Sequence, residues 1–226
     1  MADTVDEMAL RQGGRVLHLV DRGDVIRSHR RAPPGGARAG VVEVHGELLA
    51  RPGARLPFPD GSFDSAISVH SLETVPERGW ALSELRRVLA IDGTLVVAVW
   101  GPLEGNPMFS VLAESLRRRG GVRAEAAVHW LSSLSQPDDV RALLGVTGFG
   151  DLRTERRCGL ERVASAQELQ SWLLTRFPIG AAIRSLPRDD GEAVASELGR
   201  ALRRWSTGVP FTTDVHTAVA TGAGAA

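Results

Sequence analysis

An α/β fold with a mostly parallel sheet and helices on both faces is what this sequence predicts, and three observations predict it. The run Ala66-Ile67-Ser68-Val69 is short and lacks a polar face, as in a strand buried on both sides of a parallel sheet. Leu95-Val96-Val97-Ala98-Val99-Trp100 is a second such run. Between them, Val75 to Ala90 has apolar residues at helical spacing, closed by Asp92-Gly93. Strand, helix, glycine stop and strand make a βαβ unit.

The first of these strands is introduced by Leu56-Pro57-Phe58-Pro59-Asp60-Gly61-Ser62-Phe63-Asp64. Pro59 fixes φ, Asp60 can bond its own backbone and Gly61 tolerates positive φ, so a tight turn is expected there. Upstream, Asp3 to Gln12 suits a short amphipathic helix, Val16–Val20 a first strand and Val41–His45 another. The interval Asp21 to Gly40 is arginine-rich and carries Pro33-Pro34-Gly35-Gly36, which no helix tolerates. Downstream, Asn106-Pro107 looks like a cap and first helical position, with a helix from Met108 to Arg119. Arg117-Arg118-Arg119 reads as a solvated helix end favoured by the dipole. Ala124 to Leu134 is expected to form a lid, and Gln136 to Leu144 a helix. Leu152–Arg156 is a further strand, Ala166–Phe177 and Glu192–Trp205 are helices, and Val215–Ala220 is a last, antiparallel strand. Residues 1–226 are read as one domain: a core over 13–100, lid and helices over 101–150, and closing helices and strands over 151–220.

Composition narrows the function classes. Formal net charge is zero, so electrostatics offer no nucleic-acid or membrane partner. No Lys or Tyr occurs, which excludes either as a catalyst. The single cysteine, Cys158, excludes an intrachain disulfide and a cysteine metal cluster, and a packed thiol is expected. The six histidines show no metal-ligand spacing. Met1 to Glu7 is acidic, unlike a secretory leader, and no apolar run reaches the ~20 residues of a membrane span, so the expected location is the cytoplasm.

LPFPDGSFD, then SAISVHS and LETVPERGWALSELRRVLAIDGTLVVAVW, resemble the middle of a class I S-adenosylmethionine (SAM) dependent methyltransferase of the small-molecule kind. The tail from Ser135 to Ala220, with GVTGFGDLRTERR and TDVHTAVAT, resembles that family's end. The resemblance implies a Rossmann-like fold, SAM as cofactor and a small-molecule substrate. It departs from the family over the first forty residues, where the family holds its cofactor. There the glycine-rich loop is represented by Asp21-Arg22-Gly23-Asp24, with one glycine. The family also needs two crossovers and a second strand before its third strand. Each crossover takes at least about 10–12 residues, so Asp21 to Gly40 holds one. Val41–His45 is therefore assigned to the third strand, and the second, with its ribose-binding acid, is expected to be missing. The fold is then truncated relative to the full methyltransferase fold. Residues 52–55 carry no acid where the family often meets the adenine, and Glu47 is the nearest carboxylate. The positions left to hold SAM are Asp21, Gly23, Glu47, Leu56 and Ser68.

His70, at the carboxyl edge where open α/β sheets bind ligands, is the best general-base candidate, with Glu73 close behind. His129-Trp130 could line a substrate pocket; His18, Trp80, Trp172 and Trp205 read as core. The expectation is a methyltransferase-like protein with impaired SAM binding, a divergent or repurposed small-molecule enzyme. The alternative is a catalytically inactive partner or regulatory subunit of an active methyltransferase.

Overall fold

The computed structural model describes residues 14–20, 40–49, 51, 53–161, 166–175, 178–203 and 211–222. The side chains of 20, 40, 45, 47, 157–161 and 211–222 lie outside that description. So do the expected helix at Asp3 to Gln12, the interval Asp21 to Ala39, the Cys158 thiol and Trp205.

Six strands form one sheet: β1 (Arg15–Val20), β2 (Gly40–His45), β3 (Phe63–Val69), β4 (Leu89–Trp100), β5 (Phe149–Glu161) and β6 (Phe211–Gly222). Their order is β2-β1-β3-β4-β6-β5. β1 pairs in parallel with both β2 and β3, and β3 with β4, while β6 runs antiparallel between β4 and β5. All six expected strands are present, and each extends beyond its sequence-based limits at one or both ends.

The helices are α1 (Arg78–Val88), α2 (Pro107–Leu131), α3 (Pro137–Val146), α4 (Ala166–Thr175), α5 (Ile179–Arg184) and α6 (Arg188–Arg203). They cover both faces. Leu112, Leu116, Val128, Leu173, Ile179 and Leu198 build one core with Val16, Ile67, Val96 and Trp100. Leu82, Leu85, Val140 and Leu144 build the other with Leu17, Phe63, Ala66, Leu95 and Val97. Alternate residues of β4 face opposite cores, which is why its sequence lacks a polar side.

Four readings need correction. The Gly40–His45 strand lies directly against β1, in register from Arg15↔Gly40 to Val20↔His45. That is the place of the second strand in a doubly wound sheet, where strand order runs 3-2-1-4. The third place is the vacant one among the described residues. One crossover fits the interval, but which neighbour the strand chooses is a long-range decision. Next, α1 ends at Val88 and the chain is already extended at Leu89, four residues before the expected stop at Gly93. Third, α2 does not stop at Arg119. It continues through a kink at Gly121 (φ 67°) to Leu131, a conformation glycine adopts without a Cβ penalty. The three arginines are accordingly not a free helix end. Arg118 and Arg119 reach Glu197 of α6 at 2.8 and 2.7 Å, and Arg119 also meets Asp190 at 3.2 Å. Finally, Trp80 is 38% exposed, its indole N–H donating to the Ala54 carbonyl at 2.6 Å.

Candidate active site

The ends of the parallel strands converge on one edge of the sheet. Between β1 and β3 the strand order reverses, which is where open α/β sheets place their ligands. Just beyond β3 the chain turns sharply at His70, whose φ is +52°. Histidine is among the few residues that enter this region with some ease, but it remains uncommon. The turn is pinned on both sides. The His70 amide donates to the Ala98 carbonyl of β4 at 2.9 Å. The Ser71 hydroxyl lies 2.9 Å from the Leu19 carbonyl of β1 and 3.1 Å from that of Val69.

His70 is buried, and its imidazole stacks on the Trp100 indole with centroids 3.8 Å apart and planes 13° from parallel. Its Nδ1 lies 3.4 Å from Oε1 of Glu73. Glu73 sits in the short 3-10 turn Leu72–Thr74 and is fully buried. Oε1 also accepts the Trp100 amide at 2.7 Å, while Oε2 is buried with no partner. The Glu73 backbone carbonyl accepts the Trp130 indole N–H at 2.8 Å. Arg78 stacks over that indole at 4.2 Å and donates to the Trp130 carbonyl and the Ser133 hydroxyl at 2.9 and 2.6 Å. Burial pulls its guanidinium below the ordinary arginine range, against the attraction of Glu73. The site is therefore a layered cluster, with Trp130 and Arg78 of the helical segment closing over Glu73.

The structure brings His70 and Glu73 together. It sets Ser68 two residues before His70, inside the sheet, fully buried with its hydroxyl unpartnered. Leu56 belongs to the core against α1. Glu47 lies in a 3-10 turn (Gly46–Leu49) immediately after β2. Asp21 and Gly23 lie outside the described residues.

Sequence reasoning missed Glu84 and Arg87 of α1, which organise the LPFPDGSFD stretch. Glu84 Oε2 accepts the Leu56 amide at 2.9 Å. Arg87 forks onto Glu84 at 2.8 and 2.9 Å and reaches the carbonyls of Leu56 and Phe58 and the carboxylate of Asp60. Gly61 (φ 66°) completes the expected turn and donates to the Arg87 carbonyl at 3.0 Å. The hydrogen bonds from Arg87 hold the Glu84 carboxyl below its usual range, and Glu84 raises Arg87 in turn. An acid and an arginine three residues apart on a helix otherwise facing a core were the available signal.

Among the described residues, no group of His, Cys, Asp and Glu is arranged to hold a metal ion, and no helix is long and apolar enough to cross a membrane. Tested against SAM, the edge fits in part. Glu47 follows the strand beside β1, where doubly wound folds keep the acid for ribose hydroxyls, whereas Gly53, Ala54 and the exposed Arg55 offer no carboxylate on the adenine side.

Residues 10–97 match the family model described as a methyltransferase domain. A demethylmenaquinone methyltransferase of Thermobifida fusca is 30% identical over 114 residues, covering 50% of this chain and 46% of that protein. The mitochondrial arginine-hydroxylase NDUFAF5 of Rattus norvegicus is 32% identical over 105 residues, covering 44% of this chain and 28% of that protein. The chain thus spans less than half the length of either curated relative. A crystal structure described as a methyltransferase from an antibiotic biosynthesis pathway of Anabaena variabilis superposes with a TM-score of 0.53 at 14% identity, covering 97% of this chain and 96% of that one, and shows the shared fold. The matched domain over residues 10–97 and the parallel, Rossmann-like sheet make this chain similar to class I SAM-dependent methyltransferases.

Proposed function

We propose that this chain is a small-molecule enzyme of the SAM-dependent family whose cofactor site is thinned, so that SAM binds weakly, with His70 and Glu73 at the reacting end of the cleft. The observation that carries this is the position of β2. It stands next to β1, and the turn that carries Glu47 follows it, which supports reading Glu47 as the ribose acid and the adenine side and the loop at Asp21–Asp24, with its one glycine, as the weakened parts. When bound, SAM would supply an electrophilic methyl group. The chain's own contribution is to position a nucleophile and take up its proton. One curated relative is named as an arginine hydroxylase, so the shared region is compatible with chemistry other than methyl transfer.

One charge-assisted hydrogen bond forfeited on the adenine side removes about 1.5–3 kcal/mol, roughly 10–10²-fold in affinity. From a micromolar family site, calorimetric titration should give a dissociation constant of about 10–100 μM on that arithmetic. Glu47→Gln should weaken it further. A low-micromolar constant overturns the thinned site. A role as an inactive partner subunit is the second reading, favoured by the outer edge of β2, which is unpaired among the described residues and is a template for another chain. Under that reading the titration shows no heat even at millimolar SAM.

A further inference from the structure

Glu73 is a poor base in its own right, because one carboxylate oxygen is committed to the Trp100 amide and the whole side chain is sealed from the cleft. It is well placed to orient a base. The Trp100 amide fixes Oε1 at the end of β4, and His70 Nδ1 approaches that same oxygen. The stack on Trp100 fixes the plane of the imidazole, and the bond from the His70 amide to Ala98 fixes its backbone at a φ that strands do not use. Three restraints from β4 thus converge on one ring. Strained backbone of this kind persists where the surrounding structure over-determines it, and it clusters at functional sites. The buried Oε2, without a partner, is a second such exception, since buried polar atoms are nearly always paired. Arg78, which feels the charge of this carboxylate, turns its hydrogen bonds to backbone carbonyls and Ser133 and leaves the carboxylate for the imidazole.

We propose that Glu73 is the positioning residue of a His70–Glu73 dyad. It holds the proton on Nδ1, so that Nε2 carries the lone pair and accepts a proton from a hydroxyl or N–H of a small molecule in the cleft. The proton leaves that atom for Nε2, and the resulting imidazolium lies against the Glu73 carboxylate. The inference deepens the function proposed above and rests on that reading of the cleft as an active site. It also assigns the two residues different duties. A chain without Tyr or Lys has few other side chains for this task near neutral pH.

The test is ¹⁵N spectroscopy of the imidazole nitrogens in the intact protein, with His70→Gln identifying the His70 signals. The expected result is a neutral His70 protonated on Nδ1 in the wild type, and a mixture dominated by the Nε2–H form in Glu73→Leu. A wild-type ring protonated chiefly on Nε2, or an unchanged tautomer ratio in Glu73→Leu, overturns the proposal. Should Glu73→Leu not fold, the wild-type tautomer decides by itself. The measurement needs no cofactor, so its failure is separable from failure of the SAM titration.

Discussion

Glu73 and Glu84 are both buried glutamates, one at the carboxyl edge of the sheet and one near the loop that enters β3, and the fold satisfies them to different degrees. Glu84 has partners on both oxygens: the Leu56 amide and two donors of Arg87. Glu73 has a backbone amide and a long approach from His70 on one oxygen, and nothing on the other. A saturated buried ion pair is poorly suited to chemistry, because moving either partner strands the other. A half-satisfied carboxylate keeps capacity in reserve. The difference separates a clamp that shapes a loop from a group that can respond to a change on its neighbour.

Breaking the clamp should have the largest effect. Arg87→Ala leaves Glu84 with the Leu56 amide and only a long approach, 3.7 Å, from the exposed Arg55, and removing one partner of such a buried pair costs about 3–5 kcal/mol. In a chain of this size each kcal/mol moves the melting temperature by roughly 2–4 °C, so thermal unfolding should shift by about 6 °C or more on that scale. A shift of a degree or two would mean that the loop is held by its turn alone. Beneath the clamp, Phe63 and Leu95 are 1% and 0% exposed in the same core. Phe63→Ala and Leu95→Ala should each cost about 2–5 kcal/mol, measured by urea unfolding. Values below ~1 kcal/mol would contradict the close packing assigned to them.

The sharpest use of the contrast is Glu73→Gln. The amide keeps an acceptor for the Trp100 N–H and gives up a charge that no cation binds directly, so the expected change is within about 1 kcal/mol. Loss of several kcal/mol would show that Glu73 is as structural as Glu84.

An effect of similarly small size belongs to the surface network at Glu197. The Ser115 hydroxyl, then Arg119, hold its carboxyl down at about 2. A depressed acid contributes stability that is complete above its unfolded value, about 4.3, and is lost as pH falls through its folded value. Glu197→Gln should thus be less stable than wild type at neutral pH, by about 1 kcal/mol for a partly exposed pair. The two curves should merge near pH 2. Parallel curves down to that pH would show that the network adds nothing measurable.

By itself the sequence determined the strands, most helices and the turn at Gly61. Those follow from apolar periodicity, proline and glycine, which act over a few residues at a time. His70 and Glu73 could be marked as candidates because the end of a buried strand locates the sheet edge. Only the tertiary structure decided that Gly40–His45 lies against β1, because that strand is apolar enough to suit either of two places and the choice is made by pairing across the intervening chain. It likewise decided which carboxylate meets a cation. Glu84 and Arg87 adjoin on one helix, and their other partners, from Leu56 to Asp60, lie a full connection away. Glu73 meets the amide of Trp100 only because β4 pairs beside β3 and ends level with the turn at His70, a register that local sequence does not encode.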